Sequence, residues 1–104
     1  LSGGQRQRLS IARALIKNSK IILFDDCFSA IDSKTQKKIL ENLNHLNEKK
    51  TMLFISHNIS SIINCNKVLV IDKGRIIQHG TNSELKEREG YYKYLYKRQK
   101  IEKL

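Results

Sequence analysis

The sequence predicts an α/β fold: a largely parallel sheet flanked by helices, with a C-terminal β-hairpin and further helices. Two observations carry this. Stretches with apolar residues at helical spacing alternate with short continuous apolar runs. Near the end, Asp72-Lys73-Gly74 separates two strand-like runs as a hairpin turn does.

From Gly4 to about Lys17, Leu9, Ala12, Leu15 and Ile16 recur at helical spacing, with Ile11 beside them. Asn18 and Ser19 break that pattern, and Ile21-Ile22-Leu23-Phe24 reads as a buried parallel strand ending in two acids. Ser29-Ala30-Ile31-Asp32 is a turn, with Asp32 or Ser33 as the cap of the next helix. Ile39, Leu40, Leu43 and Leu46 stripe that helix, and Lys34, Lys37, Lys38 and Glu41 lie on its solvated face. Thr51 to Ser56 forms a second buried strand, and a short helix carries Ile59, Ile62 and Ile63. Val68–Ile71 and Arg75–Gln78 make the hairpin, with Gly74 free to take positive φ. Helical stretches over roughly 82 to 88 and 90 to 100 complete the chain.

The 104 residues amount to one domain at most, or part of one. No run of about 20 apolar residues is present to span a membrane as a helix. Leu1 sits inside a motif, so residues upstream are expected. Cys27 and Cys65 have neither CxxC nor Cys/His spacing and read as small buried hydrophobes in a reducing compartment. The net charge of +10 could serve nucleic acid or an anionic membrane. Its basic residues are spread out, though, except for Lys93, Lys97, Arg98, Lys100 and Lys103 against Glu102, which reads as a solvated face.

Three sites carry chemistry. In Leu1-Ser2-Gly3-Gly4-Gln5, two glycines let backbone approach an anion and lead into a helix whose first N–H groups are unpaired. Ser2 and Gln5 add side-chain donors there. Taken alone, the segment also reads as a polar, Gly-rich helix start. Asp25 and Asp26 end a strand where parallel sheets bind ligands. His57, at the end of the second strand, should emerge at the same edge. A lone acid pair or histidine there is more often a plain surface feature.

Taken together and in this order, these segments resemble the ATP-binding cassette (ABC) ATPases. Leu1–Gln5, extended by Arg6, Gln7, Arg8 and Leu9, resembles the signature motif; Ile21 to Asp26 resembles a Walker B strand. Ser29-Ala30-Ile31-Asp32 looks like the D-loop, and Ile55-Ser56-His57 like the switch-histidine segment. The Gln-Arg-Gln-Arg continuation, the Ser-Ala-Ile-Asp turn and the tail from Tyr91 to Tyr96 look most like transporters of the exporter type. The resemblance implies an incomplete P-loop NTPase core, RecA-like, in one C-terminal part of a nucleotide-binding domain. Residues 1–17 would form the signature and its helix, 18–80 the Walker B to histidine core and hairpin, and 81–104 the C-terminal helices.

The resemblance implies ATP and Mg²⁺ as cofactors. It assigns Asp25 to the metal, Asp26 and His57 to catalysis, and Leu1, Ser2, Gly3, Gly4, Gln5 and Asp32 to nucleotide binding across a dimer. It also implies a second nucleotide-binding domain and a transmembrane domain as partners, no nucleic acid, and a place at the cytoplasmic face of the membrane.

Two departures qualify this. The phosphate loop GxxxxGK[ST] is absent; Gly74 to Gly80-Thr81 has one residue too many and lacks the lysine. Its strand would lie between the one ending at His57 and Val68–Ile71, so the 104 residues alone are expected to be marginally folded and to bind ATP poorly. Second, Asp26 stands where active members carry Glu. Loss of one methylene removes roughly 1.5 Å of reach, and a misplacement of about 1 Å can cost around 100-fold. The Asp26 site therefore reads as slow, and the intact signature as serving a partner's ATP, as in a heterodimeric exporter. Two alternatives remain: a soluble ABC ATPase of DNA repair or translation, and a non-enzymatic truncated dimerisation piece.

Overall fold

The computed structural model describes residues 2–46 and 50–102. Of the residues singled out above, Leu1, Lys103 and the side chains of Leu46 and Glu102 lie outside that description. The elements follow the predicted order: α1 (Gly3–Ile16), β1 (Ile21–Asp25), α2 (Ser33–Leu46), β2 (Thr51–Ile55), α3 (Ile59–Ile62), β3 (Val68–Asp72), β4 (Arg75–Gly80), α4 (Asn82–Leu85) and α5 (Tyr91–Glu102). The chain forms two compact units, Leu1–His57 and Asn58–Leu104, each with its own apolar core.

In the first unit β1 and β2 pair in parallel, Ile21 opposite Thr51 through Asp25 opposite Ile55. Parallel neighbours need a crossover, which α2 supplies. One face of this two-stranded sheet carries Ile22 and Phe24, buried with Ile11, Phe28, Ile31 and Leu43. Stacking fills the centre: the Phe24 and Phe54 rings lie 4.9 Å apart and nearly parallel.

The opposite face departs from expectation. The apolar runs predict strands covered on both sides, yet Ile21, Leu23, Leu53 and Ile55 are all more than half exposed. Strand side chains alternate between faces, and the described residues of this unit cover only one of them.

The helix α1 also corrects the sequence reading. Leu9 and Ile16 are exposed, as is Ala12; Ile11 is the buried residue, with Ala14 and Leu15 packed beside it. Gly4 and Gln7 lie on this same face, partly buried, two turns and one turn before Ile11 respectively. Hydropathy put the stripe out of phase because the first two turns are seated by glycine and by a hydrogen-bonding side chain, not by aliphatics.

In the second unit β3 and β4 form an antiparallel hairpin, with Lys73 and Gly74 both at positive φ (50° and 76°) as a tight turn matching strand twist requires. A bulge between Val70 and Ile71 shifts the register by one residue. Thr81 starts α4 with a capping box, exchanging bonds with Glu84. The core here is Ile59, Val68, Leu85 and Tyr92. Buried Tyr92 donates its hydroxyl to Asn82 Oδ1 at 2.6 Å, and Gln78 Oε1 accepts from the Tyr92 N–H at 3.1 Å.

Candidate functional site

Ser2 caps α1 in extended conformation. Its Oγ accepts from the Gln5 N–H at 3.1 Å, while Gln5 Oε1 accepts from the Ser2 N–H at 2.9 Å. This is a complete capping box. Both bonds use acceptor atoms, so they do not consume the Ser2 hydroxyl hydrogen or the Gln5 amide hydrogens. The N–H groups of Gly3 and Gly4 open the helix, where no preceding turn offers a carbonyl. Leu1, the motif's first residue, lies outside the described residues.

The two glycines have a second use that the sequence did not reveal. A β-carbon on Gly3 would lie 3.3 Å from Ala30 Cβ, and one on Gly4 only 2.8 Å from the Ala30 carbonyl oxygen. Close approach to the chain's own turn is therefore written into the same pair that the sequence predicts to approach an anion.

Gln7 completes that contact. Its Oε1 accepts from the Ala30 N–H at 2.8 Å, and its Nε2 donates to Ser29 Oγ at 2.9 Å and, less closely, to the Asp26 carbonyl at 3.4 Å. Neither Gln7 nor Ala30 was among the predicted site residues. The signal was present in the extension of the first motif, but hydropathy gives a glutamine no weight.

Asp25 and Asp26 are both exposed at the carboxyl end of β1. Asp25 is in register with Ile55, two residues before the exposed His57, so both strands end on the same edge. Asp26 donates its N–H to the Ile55 carbonyl at 2.8 Å, turning the chain away from the sheet at φ 52°. Left-handed backbone is uncommon outside glycine, and aspartate enters it more readily than most residues.

Downstream, Asp32 caps α2: its Oδ2 accepts from the Thr35 N–H at 3.0 Å and its carbonyl from the Gln36 N–H at 2.9 Å. Bonds from the Thr35 hydroxyl and then its N–H hold the Asp32 carboxyl below the usual range. Partial burial pushes the Cys27 thiol up, despite a bond to the Asp25 carbonyl, and burial alone does the same to Cys65. Both cysteines are free.

The structure thus gathers two of the predicted segments directly: the glycine-rich start of α1 lies on the Asp26–Ala30 turn. It pairs Asp25 with Ile55, so that β1 and the strand leading to His57 end on the same edge. Among the described residues, no group of three or more His, Cys, Asp or Glu could hold a metal ion, and no helix is long and apolar enough to cross a membrane.

Comparison with known proteins bears on the family and the fold. The sequence model of the ABC transporter family matches residues 1–29. Over 99 residues, 95% of this chain and 17% of the relative, the sequence is 44% identical to an ATP-dependent lipid A-core flippase of Bordetella avium (strain 197N). It is 43% identical over 100 residues to the leukotoxin export ATP-binding protein LtxB of Aggregatibacter actinomycetemcomitans, covering 95% of the chain and 14% of the relative. The multidrug resistance-like ATP-binding protein MdlA of Buchnera aphidicola subsp. Schizaphis graminum (strain Sg) is 42% identical over 103 residues, covering 98% and 18%. Among solved structures, a bacterial Atm1-family ABC exporter with ATP bound matches with a TM-score of 0.91 at 39% identity, covering 95% of this chain and 18% of that one. The chain spans less than a fifth of the length of these curated relatives. Its α/β architecture, with a small parallel sheet and helices, is a partial P-loop NTPase fold. In sequence and fold together, the chain is identified with the nucleotide-binding domain of ABC transporters of the exporter type.

Proposed function

We propose that these residues serve an exporter-type ABC transporter that couples ATP binding and hydrolysis to transmembrane transport. One observation supports this most: a glycine-rich helix start and the paired ends of two parallel strands converge on the single turn 26–32.

In this reading the chain adopts complementary roles toward two nucleotides. The N–H groups of Gly3 and Gly4 and the side chains of Ser2 and Gln5, with Leu1 before them, clamp ATP held by a partner domain. Asp25, Asp26 and His57 face the nucleotide bound on this chain's own side. A single exposed carboxylate suits Mg²⁺, which retains waters and binds through one or two carboxylates plus nucleotide phosphates. Asp25 would hold that ion, through water, and the ion would neutralise phosphate charge. His57 senses the terminal phosphate. Asp26 orients or weakly deprotonates the attacking water; its reach falls short of the glutamate found in active members. Asp32 contributes to the link across the dimer through the carboxylate oxygen that does not cap α2.

The partners in this reading are a second, non-identical nucleotide-binding domain and a transmembrane domain, at the cytoplasmic face of the membrane. In this reading residues 1–104 are one C-terminal part of a single nucleotide-binding domain, with 1–17 as the signature motif and its helix, 18–80 as the Walker B to histidine core with the hairpin, and 81–104 as the C-terminal helices. By themselves the 104 residues carry no phosphate-loop motif and would not hydrolyse ATP.

The test is ATP turnover by the full-length transporter carrying this sequence, reconstituted in lipid vesicles. Turnover should appear there, be absent from the 104 residues alone, and be lost on Gly4→Asp. Salt-sensitive nucleic-acid binding with no transport-linked turnover would overturn the reading in favour of a soluble ATPase.

A further inference from the structure

The α1 start and the Asp26–Asp32 turn are joined more tightly than either role requires. If α1 only presented N–H groups to an anion, Gly3 and Gly4 would need open space on the ligand side alone. Instead they lie against Ala30, and Gln7 grips the same turn with both ends of its amide. The Gln7 oxygen takes the Ala30 N–H; its nitrogen gives hydrogens to Ser29 Oγ and the Asp26 carbonyl. Ser29 Oγ in turn reaches back toward the Asp26 carbonyl at 3.5 Å. The amide thus contacts the turn at three residues, Asp26, Ser29 and Ala30, and the first of them is the residue whose carboxylate would face the water.

We propose that Gln7 is a positioning residue that locks this chain's signature helix to its own Asp26–Ala30 turn, so that the clamp on one nucleotide and the Asp26 site on the other move as one piece. This rests on the exporter-ATPase reading above. Gln7 touches neither nucleotide; it acts through Gly3, Gly4 and Asp26. A shift of the turn is transmitted to the helix start because close-packed contacts leave no slack, and Gly4 against the Ala30 carbonyl is such a contact. Two sites that share a rigid element are coupled when each ligand prefers one position of it over another.

The test uses the full-length transporter with Gln7→Leu, which keeps the size of the side chain and removes both hydrogen-bonding ends, and Gln7→Glu, which keeps the acceptor for the Ala30 N–H. Gln7→Leu should lower kcat on the order of 100-fold, as a clamp displaced by about 1 Å does, with KM for ATP unchanged. Gln7→Glu should recover much of that loss. A purely structural role would lower the unfolding temperature and leave kcat per folded complex intact; that result overturns the proposal. Hydrogen exchange at the Ala30 amide supplies a second readout that does not depend on turnover. Exchange should be faster in Gln7→Leu than in wild type, and equal protection overturns the lock. Absence of turnover in the wild-type transporter would instead sink the ATPase reading, with the Ala30 exchange still deciding the lock.

Discussion

Gly4 sits so close to Ala30 that a β-carbon at position 4 would stand 2.8 Å from the Ala30 carbonyl oxygen, backbone against backbone. Gly3 is looser, its missing β-carbon facing the Ala30 methyl at 3.3 Å. The two glycines therefore differ in tolerance. Gly4→Ala should destabilise the first unit by about 1–3 kcal/mol through overpacking, and Gly3→Ala by less. Denaturant midpoints of the two variants in the full-length protein check the order; equal midpoints would count against the close contact.

At Asp26 reach and backbone strain oppose each other. Its φ of 52° suits aspartate better than glutamate, while under the proposed function a longer side chain would better reach the attacking water. Asp26→Glu should raise turnover of the full-length transporter and lower its unfolding temperature slightly, since left-handed strain is of the order of 1 kcal/mol for a non-glycine residue. Unchanged turnover would remove the short side chain as the cause of a slow site.

Asp32 makes a statement about acid stability. Its carboxyl is held below the ordinary range by the Thr35 hydroxyl and N–H, so the cap is worth most when the group is ionised. The stabilisation is present above the unfolded value of about 3.9 and is lost as pH falls through the lower folded value. Glu84 and Glu89 shift the same way, through Thr81 and Lys93. Asp32→Asn keeps an acceptor for the cap and should flatten, without abolishing, the acid arm of a stability–pH curve measured by thermal unfolding.

Both thiols should alkylate more slowly in the folded protein than a free cysteine does at pH 8. Burial raises Cys27 and Cys65 above their ordinary value, and only the thiolate reacts. Denaturant should bring both rates to the free value. A folded-state rate faster than free cysteine at either position would mean an activated thiol.

The order of elements was legible because each carries its own period or turn signal: Ile21–Phe24 as a run, the stripe of Ile39, Leu40 and Leu43, and Lys73-Gly74 as a turn. Asp25, Asp26 and His57 were legible as strand-end residues, and register then put them on one edge. The rotation of α1 was not. Apolar counting favoured Leu9, Ala12, Leu15 and Ile16 with Ile11 beside them, and of these only Ile11 and Leu15 face the core; the rest of that face is set by Gly4 and Gln7, which have no hydropathy to count. The partner of Gln7 lay 23 residues away along the chain, and no local pattern encodes a contact of that kind. The double duty of Ser2 and Gln5 was half visible: their hydrogen-bonding chemistry could be read, but the capping box between them was not.

The four aliphatic side chains at Ile21, Leu23, Leu53 and Ile55 make that face adhesive wherever nothing covers it. Contiguous aliphatic surface on paired strands is what chaperones hold and what quality-control proteases remove, and it invites self-association when neither arrives first.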